Sequence, residues 1–226
     1  HFSEYLGQMP EVMNWAWVPA VKAEDKEAFE QLVHQQVDKD YRIWQEDSAG
    51  QPVPALPRDV YYPVLHIESS QSSLNGKLTP GFDLGSVESI RAALNEASQQ
   101  NLITATEFPS RRANHNAETD ILVLRAVRNT APPRALKGFA MAVLSPDTLI
   151  HTLVRAKPED DPLLSIDLLQ LQADAPPTHL VSSRGSQDSL DLAKPLTGSM
   201  TFLRPILAFG QTFAVVARPP RDLPAT

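Results

Sequence analysis

The 226-residue sequence predicts an α+β protein in which a long amino-terminal helix precedes two successive lobes. At the start of the chain, Phe2, Tyr5, Leu6 and Met9 follow the i, i+3, i+4, i+7 spacing of one helix face. Further along, a helix followed by several strands occurs twice. This order favours two lobes with antiparallel sheets, although no sequence repeat is visible.

Three helices are predicted beyond the first residues. Residues 22–37, KAEDKEAFEQLVHQQV, have apolar residues on one side and acids in the first turn. We therefore expect residues 1 to about 37 to be mostly helical, a stalk that pairs with its copy in a homodimer. Residues 86–101, SVESIRAALNEASQQN, predict a second helix capped by Ser86. The third, SPDTLIHTLVRA, begins with Ser145 as N-cap and Pro146 at its first position.

Strand-length runs fill the rest of the chain. YYPVLHIE, LITATEFP, DILVLRAVRN and KGFAMAVLS predict a first antiparallel sheet. LLSIDLLQLQ, THLVSS, SMTFLRPILAFG and QTFAVVARP follow the third helix and predict a second one. The resulting division is a stalk with connecting helices at 1–40, a first lobe at 41–145 and a second lobe at 146–226.

Composition and motifs exclude several functions. The net charge of −7, with no basic stripe, argues against nucleic acid as a partner. The chain has no cysteine, its six histidines show no metal-ligand spacing, and GxGxxG, GxxxxGK[ST], GxSxG and HExxH are absent. We expect no metal site, no cofactor and no catalytic residues. An enzyme of another α+β family, which would gather titratable residues in one cleft, and a dimerisation or scaffold module stay open as alternatives.

Two charged residues interrupt apolar runs. Arg125 lies on the same strand face as Val123 and Val127, so it either faces solvent or points into a polar cavity. Asp83, in PGFDLGS, either organises the turn before the second helix or touches a ligand.

Several of these segments together resemble the CHASE domain. The resemblance runs from about Trp15 to Leu149 and is carried by MNWAWVPAV, AFEQLV, RDVYYPVLHIES, PGFDLGSVESIRAALNEA and KGFAMAVLSPDTLI. The residues that match the family's pattern are Trp17, Pro19, Val21, Phe29, Glu30, Tyr61, Tyr62, Pro63, Val64, Ile67, Glu68, Gly81, Asp83, Arg91, Ala93, Leu94, Ala97 and Gly138.

This resemblance implies an extracytoplasmic sensor domain and not an enzyme. It implies a long stalk helix followed by two tandem PAS-like lobes, the first membrane-distal and ligand-binding, the second membrane-proximal. Transmembrane helices of the parent receptor would flank the domain, placing it in the periplasm or outside the cell. The parent would be a sensor histidine kinase of a two-component system or a diguanylate cyclase, and the Ala-, Gln- and Pro-rich composition suggests a bacterial source.

The resemblance also implies where a small-molecule ligand binds. Plant members bind cytokinins through an aspartate just before the helix arginine and a threonine on the third strand. Here Ile90 precedes Arg91 and the strand position falls near Leu124, so neither contact is kept. Thr106, or Thr104 with a one-residue gap, falls near another threonine of that family. The predicted pocket lies in the first lobe and is lined by Tyr62, Phe82, Asp83, Arg91, Thr104, Thr106, Leu124, Arg125 and Phe139.

Overall fold

The described part of the protein is mainly β-structure. A computed structural model describes residues 12–69, 78–109, 119–155, 164–172, 175–185, 190, 192 and 201–219. Within these ranges the chain forms thirteen strands and three α-helices of 10 to 13 residues. No helix in these ranges is long and apolar enough to cross a membrane.

The α+β class with a long stalk helix is therefore wrong. Strands β1 (Val12–Pro19) and β2 (Val21–Lys22) occupy the middle of the predicted stalk, and the helix α1 that follows spans only Lys26–Gln36. The residues from Phe2 to Met9, whose spacing suggested the helix, lie outside the described ranges. In Val12–Pro19, tryptophans and valines dominate a run that Asn14 alone interrupts, which suits a strand buried in a sheet better than a helix.

The first lobe is built on a five-stranded antiparallel sheet in the order β6-β1-β9-β8-β7. Strand β1 lies between its neighbours β6 and β9, which the sequence prediction missed. The bounds of the other four strands are β6 His66–Ser69, β7 Ile103–Pro109, β8 Thr119–Arg128 and β9 Leu136–Leu144. Of the predicted first-sheet strand YYPVLHIE, only its end, from His66, joins this sheet.

One face of this sheet carries the first-lobe core. Helix α2 (Glu88–Gln100) contacts β7 and β8 and buries Ile90, Ala93, Leu94 and Ala97 in that core, as its apolar spacing predicts. Asn101 ends the helix in the left-handed conformation with φ of 54°. Phe82, Leu124 and Phe139 are the large side chains beneath it.

Four short strands and helix α1 form a separate small cluster beside the sheet. Strand β2 pairs with β5 (Val60–Tyr61), and β3 (Trp44–Glu46) pairs with β4 (Pro52–Pro54). Val33 of α1 packs on Tyr41 and Tyr61. The first tyrosine of YYPV therefore belongs to this cluster, whereas Tyr62 turns into the main core.

A second antiparallel sheet follows, in the order β11-β10-β13-β12. Its strands are β10 Ser165–Leu171, β11 Thr178–Ser182, β12 Phe202–Ala208 and β13 Gln211–Arg218. Helix α3 (Pro146–Arg155) contacts β8, β10 and β11, and the Ser145 hydroxyl accepts from the Thr148 N–H at 3.2 Å, which confirms the predicted cap.

The two sheets are joined by an apolar cluster on the face of the first sheet that α2 does not cover. Ala105 and Ile121 of the first sheet meet Leu168 and Phe213 of the second, with Ile150 of α3 between them. The first sheet is thus covered on both faces, by α2 on one and by the second sheet and α3 on the other.

Gly138 allows β1 and β9 to approach closely, and we predict that replacing it destabilises the fold. Its φ is +152°, and a Cβ there would lie 2.3 Å from the Val18 carbonyl oxygen and 2.7 Å from Pro19 Cα. Since both contacts are backbone atoms, Gly138→Ala should lower the free energy of unfolding by about 3 kcal/mol or more in denaturant titration.

Gly185→Ala is the matched control for this substitution. Gly185 also has positive φ (+77°), but nothing lies within 4 Å of its added Cβ. Gly185→Ala should therefore lower the free energy of unfolding by only about 1 kcal/mol, because of its backbone conformation alone. Equal losses for the two variants would contradict the close-approach explanation.

Candidate functional site

The candidate site is the face of the first sheet that lies under helix α2. The strand register places its residues in rows, because directly paired residues project on the same side of a sheet. One row runs from Asn14 through Val143 and Leu122 to Thr106, and the next from Ala16 through Met141 and Leu124 to Thr104. The first row therefore has a polar side chain at each end, Asn14 on β1 and Thr106 on β7, and the second row has one, Thr104, on β7.

Four of the predicted site residues come together on this face. Thr104, Leu124 and Phe139 are buried and Thr106 is half-buried. Tyr62 adds its ring from the side, 5.6 Å from the Phe139 ring in an edge-on arrangement. Burial, followed by the nearby Asp83 charge, raises the pKa of the Tyr62 hydroxyl, so it is a neutral group at physiological pH.

Phe82 belongs to the same core but has a different neighbour. Its ring is 5.0 Å from that of Trp44, and its side chain is almost fully buried. Phe82 thus closes the core next to strand β3 and lies among apolar groups that any molecule entering this core would have to displace.

Asp83 lies in a buried turn beside the core. One carboxylate oxygen accepts from the N–H groups of Tyr62 at 2.8 Å and Gly85 at 3.1 Å. The other is 3.1 Å from Arg58 Nε, although that N–H is not aligned with it, so the contact is an ion pair without a hydrogen bond. Burial raises the pKa of the Asp83 carboxyl, and the two N–H groups and Arg58 oppose this shift.

Two arginines converge on the carbonyl of Gly85 in the same turn. Arg58 and Arg91 each donate an Nη1 hydrogen bond to it at 2.9 Å, and Arg58 Nη2 donates to Gln45 Oε1 at 2.8 Å. Of the two readings of Asp83, the turn-organising one accounts for all of these contacts. Arg91 is exposed and is anchored to this turn, outside the core. Contact of Asp83 or Arg91 with a ligand stays a prediction.

Arg125 lies on the opposite side of the sheet from Leu124. It is paired with Ile103 and Ala140, and its side chain is exposed. Of the two alternatives that the sequence left open, solvent exposure is the one that the structure shows. Arg125 is therefore not on the face that helix α2 covers.

Sequence reasoning missed Arg58 and Asn14. Arg58 was not among the predicted site residues, although it is the charge partner of Asp83. Asn14 is 2% exposed, on the same face as Ala16 and Val18, and within the described ranges its Oδ1 has no hydrogen-bond partner. A polar residue inside the apolar run VMNWAWVP was the available signal, but the helix assignment hid which face it occupies.

No metal-binding group accompanies this site in the described part of the chain. No three His, Asp or Glu side chains are close enough there to hold an ion. The chemistry that the face offers is hydrogen bonding at Asn14, Thr104 and Thr106 and apolar contact between them.

The chain belongs to the CHASE domain family, whose model matches residues 3–181. CHASE domains are extracytoplasmic sensor domains, so the domain itself is a sensor. A comparison with curated proteins gives no match. A solved structure titled "Methyl-accepting Chemotaxis protein X" is similar over 97% of this chain and 79% of that chain, with 11% identity and a TM-score of 0.46.

The Arg58–Asp83 pair predicts an unusual order of stabilities. Arg58→Met leaves the Asp83 carboxylate buried without a countercharge and should lower the free energy of unfolding by about 3 kcal/mol. Adding Asp83→Asn removes that charge, so the double variant should be more stable than Arg58→Met alone, by about 1 kcal/mol or more. Denaturant titration of the full cycle measures both values.

Arg91→Met is the control for this cycle. Arg91 bonds the same Gly85 carbonyl but is exposed. It should cost no more than about 1 kcal/mol, and Asp83→Asn should give no recovery in its background. A double variant less stable than Arg58→Met would show that hydrogen bonding to Asp83, and not charge compensation, dominates.

Proposed function

We propose that the chain is the ligand-sensing domain of a transmembrane receptor, with its small-molecule site on the α2-covered face of the first sheet. The observation that carries the proposal is the buried Asn14 amide without a partner for its oxygen, on the same face and in the same row as Thr106. A buried polar atom left unbonded costs free energy, and a ligand donor would recover it.

Family membership supports the receptor setting. CHASE domains are extracytoplasmic, and we infer that transmembrane helices of the parent protein flank this one and place it in the periplasm or outside the cell. A bacterial sensor histidine kinase is the preferred parent, and a diguanylate cyclase is the alternative. The reading frame on both sides of the chain tests this: it should encode an apolar span of about 20 residues on each side, followed by an output domain.

Packing suggests how occupancy would be transmitted. The sheet that carries the site on one face rests on Leu168, Phe213 and Ile150 through its other face. A ligand that shifts β7 or β8 would also shift the side chains packed on their other face, because close-packed side chains transmit a displacement to their neighbours. The ligand biases the second sheet only to the extent that it binds the two arrangements with different affinity.

A cytokinin-like adenine derivative is the first ligand to test. The row from Asn14 to Thr106 has a hydrogen-bonding side chain at each end and apolar side chains between them, which suits a flat heterocycle with an apolar substituent. The aspartate and threonine contacts of the plant members are not kept, since Ile90 and Leu124 stand there. Recognition would have to come from Asn14, Thr104 or Thr106 instead.

We predict that Asn14→Leu separates binding from stability. The near-isosteric change removes the unbonded oxygen, so the free energy of unfolding should stay within about 1 kcal/mol or rise. Affinity for N6-isopentenyladenine, measured by calorimetric titration, should fall at least about tenfold. Arg125→Met, on the opposite face, is the control and should leave affinity unchanged. If Asn14→Leu and Arg125→Met change the affinity equally, the ligand does not bind at Asn14.

We also propose that the domain forms a homodimer through its amino-terminal residues. Because β1 is a central strand of the first sheet, we place the proposed pairing segment before Val12. Removal of residues 1–9 should convert a dimer to a monomer in sedimentation analysis without loss of folding. A dimer that survives the truncation would contradict this interface.

A further inference from the structure

A polar cleft of about 430 Å³ lies at the junction of the two sheets, beside the edge strand β7. Ser89 of α2 and Thr106 and Glu107 of β7 line one side, and Gln170, Gln172 and Gln211 of the second lobe line the other. The volume lies in the ~300–1,000 Å³ range of small-molecule sites. Its described lining contains amide and hydroxyl groups and a single carboxylate, that of Glu107.

Strand β7 is the edge of the first sheet, so half of its backbone groups point away from β8. At Ala105 these backbone groups are hydrogen-bonded to the second lobe. The Ala105 N–H donates to the Phe209 carbonyl at 3.0 Å, and the Ala105 carbonyl accepts from Gln211 Nε2 at 3.2 Å. The turn between β12 and β13 thus continues the sheet at this one position.

Glu107 lies two residues further along and repeats the orientation of Ala105. Antiparallel pairing alternates, so the N–H and carbonyl of Glu107 also point outward, toward the cleft that it lines. Within the described ranges neither group makes a hydrogen bond. An unused donor and acceptor at a strand edge is the feature that an extended peptide recognises when it adds to a sheet.

The side chains around this edge favour one end of a peptide. Glu107 supplies negative charge, which matches an ammonium group. Gln170 is buried on the cleft floor and donates to Gln211 Oε1 at 3.4 Å, which fixes both amides in place. Gln172 is exposed at the rim, where its amide can pair with a second peptide unit.

We propose that this cleft binds the amino-terminal end of a short peptide, which extends β7 at Glu107 and places its ammonium group on the Glu107 carboxylate. Such a site shares Thr106 with the proposed small-molecule site under α2 but extends to Glu107 and to the second lobe. Its occupancy would add a bridge beside the one that Phe209 and Gln211 already make to Ala105.

Tri-alanine is the probe, with N-acetyl-tri-alanine as the analogue that lacks the ammonium group. Calorimetric titration of the 226-residue chain should show saturable binding of tri-alanine and at least about tenfold weaker binding of the acetylated peptide. Glu107→Gln should reduce tri-alanine affinity by a similar factor and leave the acetylated peptide unaffected. Glu96→Gln, an exposed carboxylate on α2 outside the cleft, should change nothing.

Hydrogen exchange gives a second readout that does not depend on a variant. Tri-alanine should slow exchange of the Glu107 amide and leave the Ala105 amide, already bonded to Phe209, as it was. Three results would each overturn the proposal. They are no saturable binding at millimolar peptide, unchanged tri-alanine affinity in Glu107→Gln, and slowed exchange at other amides but not at that of Glu107. Asn14→Leu should not affect tri-alanine, so failure here is distinguishable from failure of the small-molecule site.

Discussion

The buried ion pair between Arg58 and Asp83 holds together segments of the first lobe that the five-stranded sheet does not include. Through its backbone and carboxylate, Asp83 is bonded to Trp44 of β3, to Tyr62 after β5 and to Gly85 before α2. At each of these three residues the chain passes from a neighbouring element into the turn or the core. A charge with no exposed surface is tolerated there because two N–H groups and a guanidinium surround it. The placement of Tyr62 and of the start of α2 follows from this one constraint.

The first sheet acts as a common wall between the two halves of the molecule. Leu122 and Leu124 face the core under α2, while Ile121 and Val123, one position away, face the second lobe. Because strand side chains alternate, a displacement of β8 moves both sets together. If the proposed ligand site lies on one face, the packing of the second lobe on the other face would need no separate connecting element to respond to it.

Much of the first lobe could be read from the sequence because its signals are local. The α2 spacing, the Ser145–Pro146 helix start and the three runs that became β7, β8 and β9 each depend on neighbours within one element. Strand β1 could not be read this way. Its neighbours β6 and β9 lie about 50 and 120 positions along the chain, and only their pairing fixes VMNWAWVP as a strand.

The site residues also divide into those that a local pattern predicts and those that depend on distant contacts. Thr104, Thr106, Leu124 and Phe139 fall on one face because strand alternation and register are regular, which pattern reasoning can follow. Arg125 was ambiguous for a related reason. Side-chain alternation along the strand puts Arg125 and Leu124 on opposite faces of the sheet, but it does not say which face is buried. Arg58 was invisible because its partner is 25 positions away across loops. Ion pairs between loops leave no period in a sequence, and they are found only once the chain has folded.

The edge of β7 shows how the second lobe limits what the first can bind. A long free edge would invite pairing with any extended chain, and proteins suppress this by covering or interrupting it. Here Phe209 and Gln211, on either side of Gly210, bond the backbone groups of Ala105. The next such position, Glu107, carries a negative side chain beside its open backbone groups. On our proposal, the bonded position at Ala105 limits pairing along this edge to a short peptide, and the Glu107 carboxylate favours one with a positively charged end.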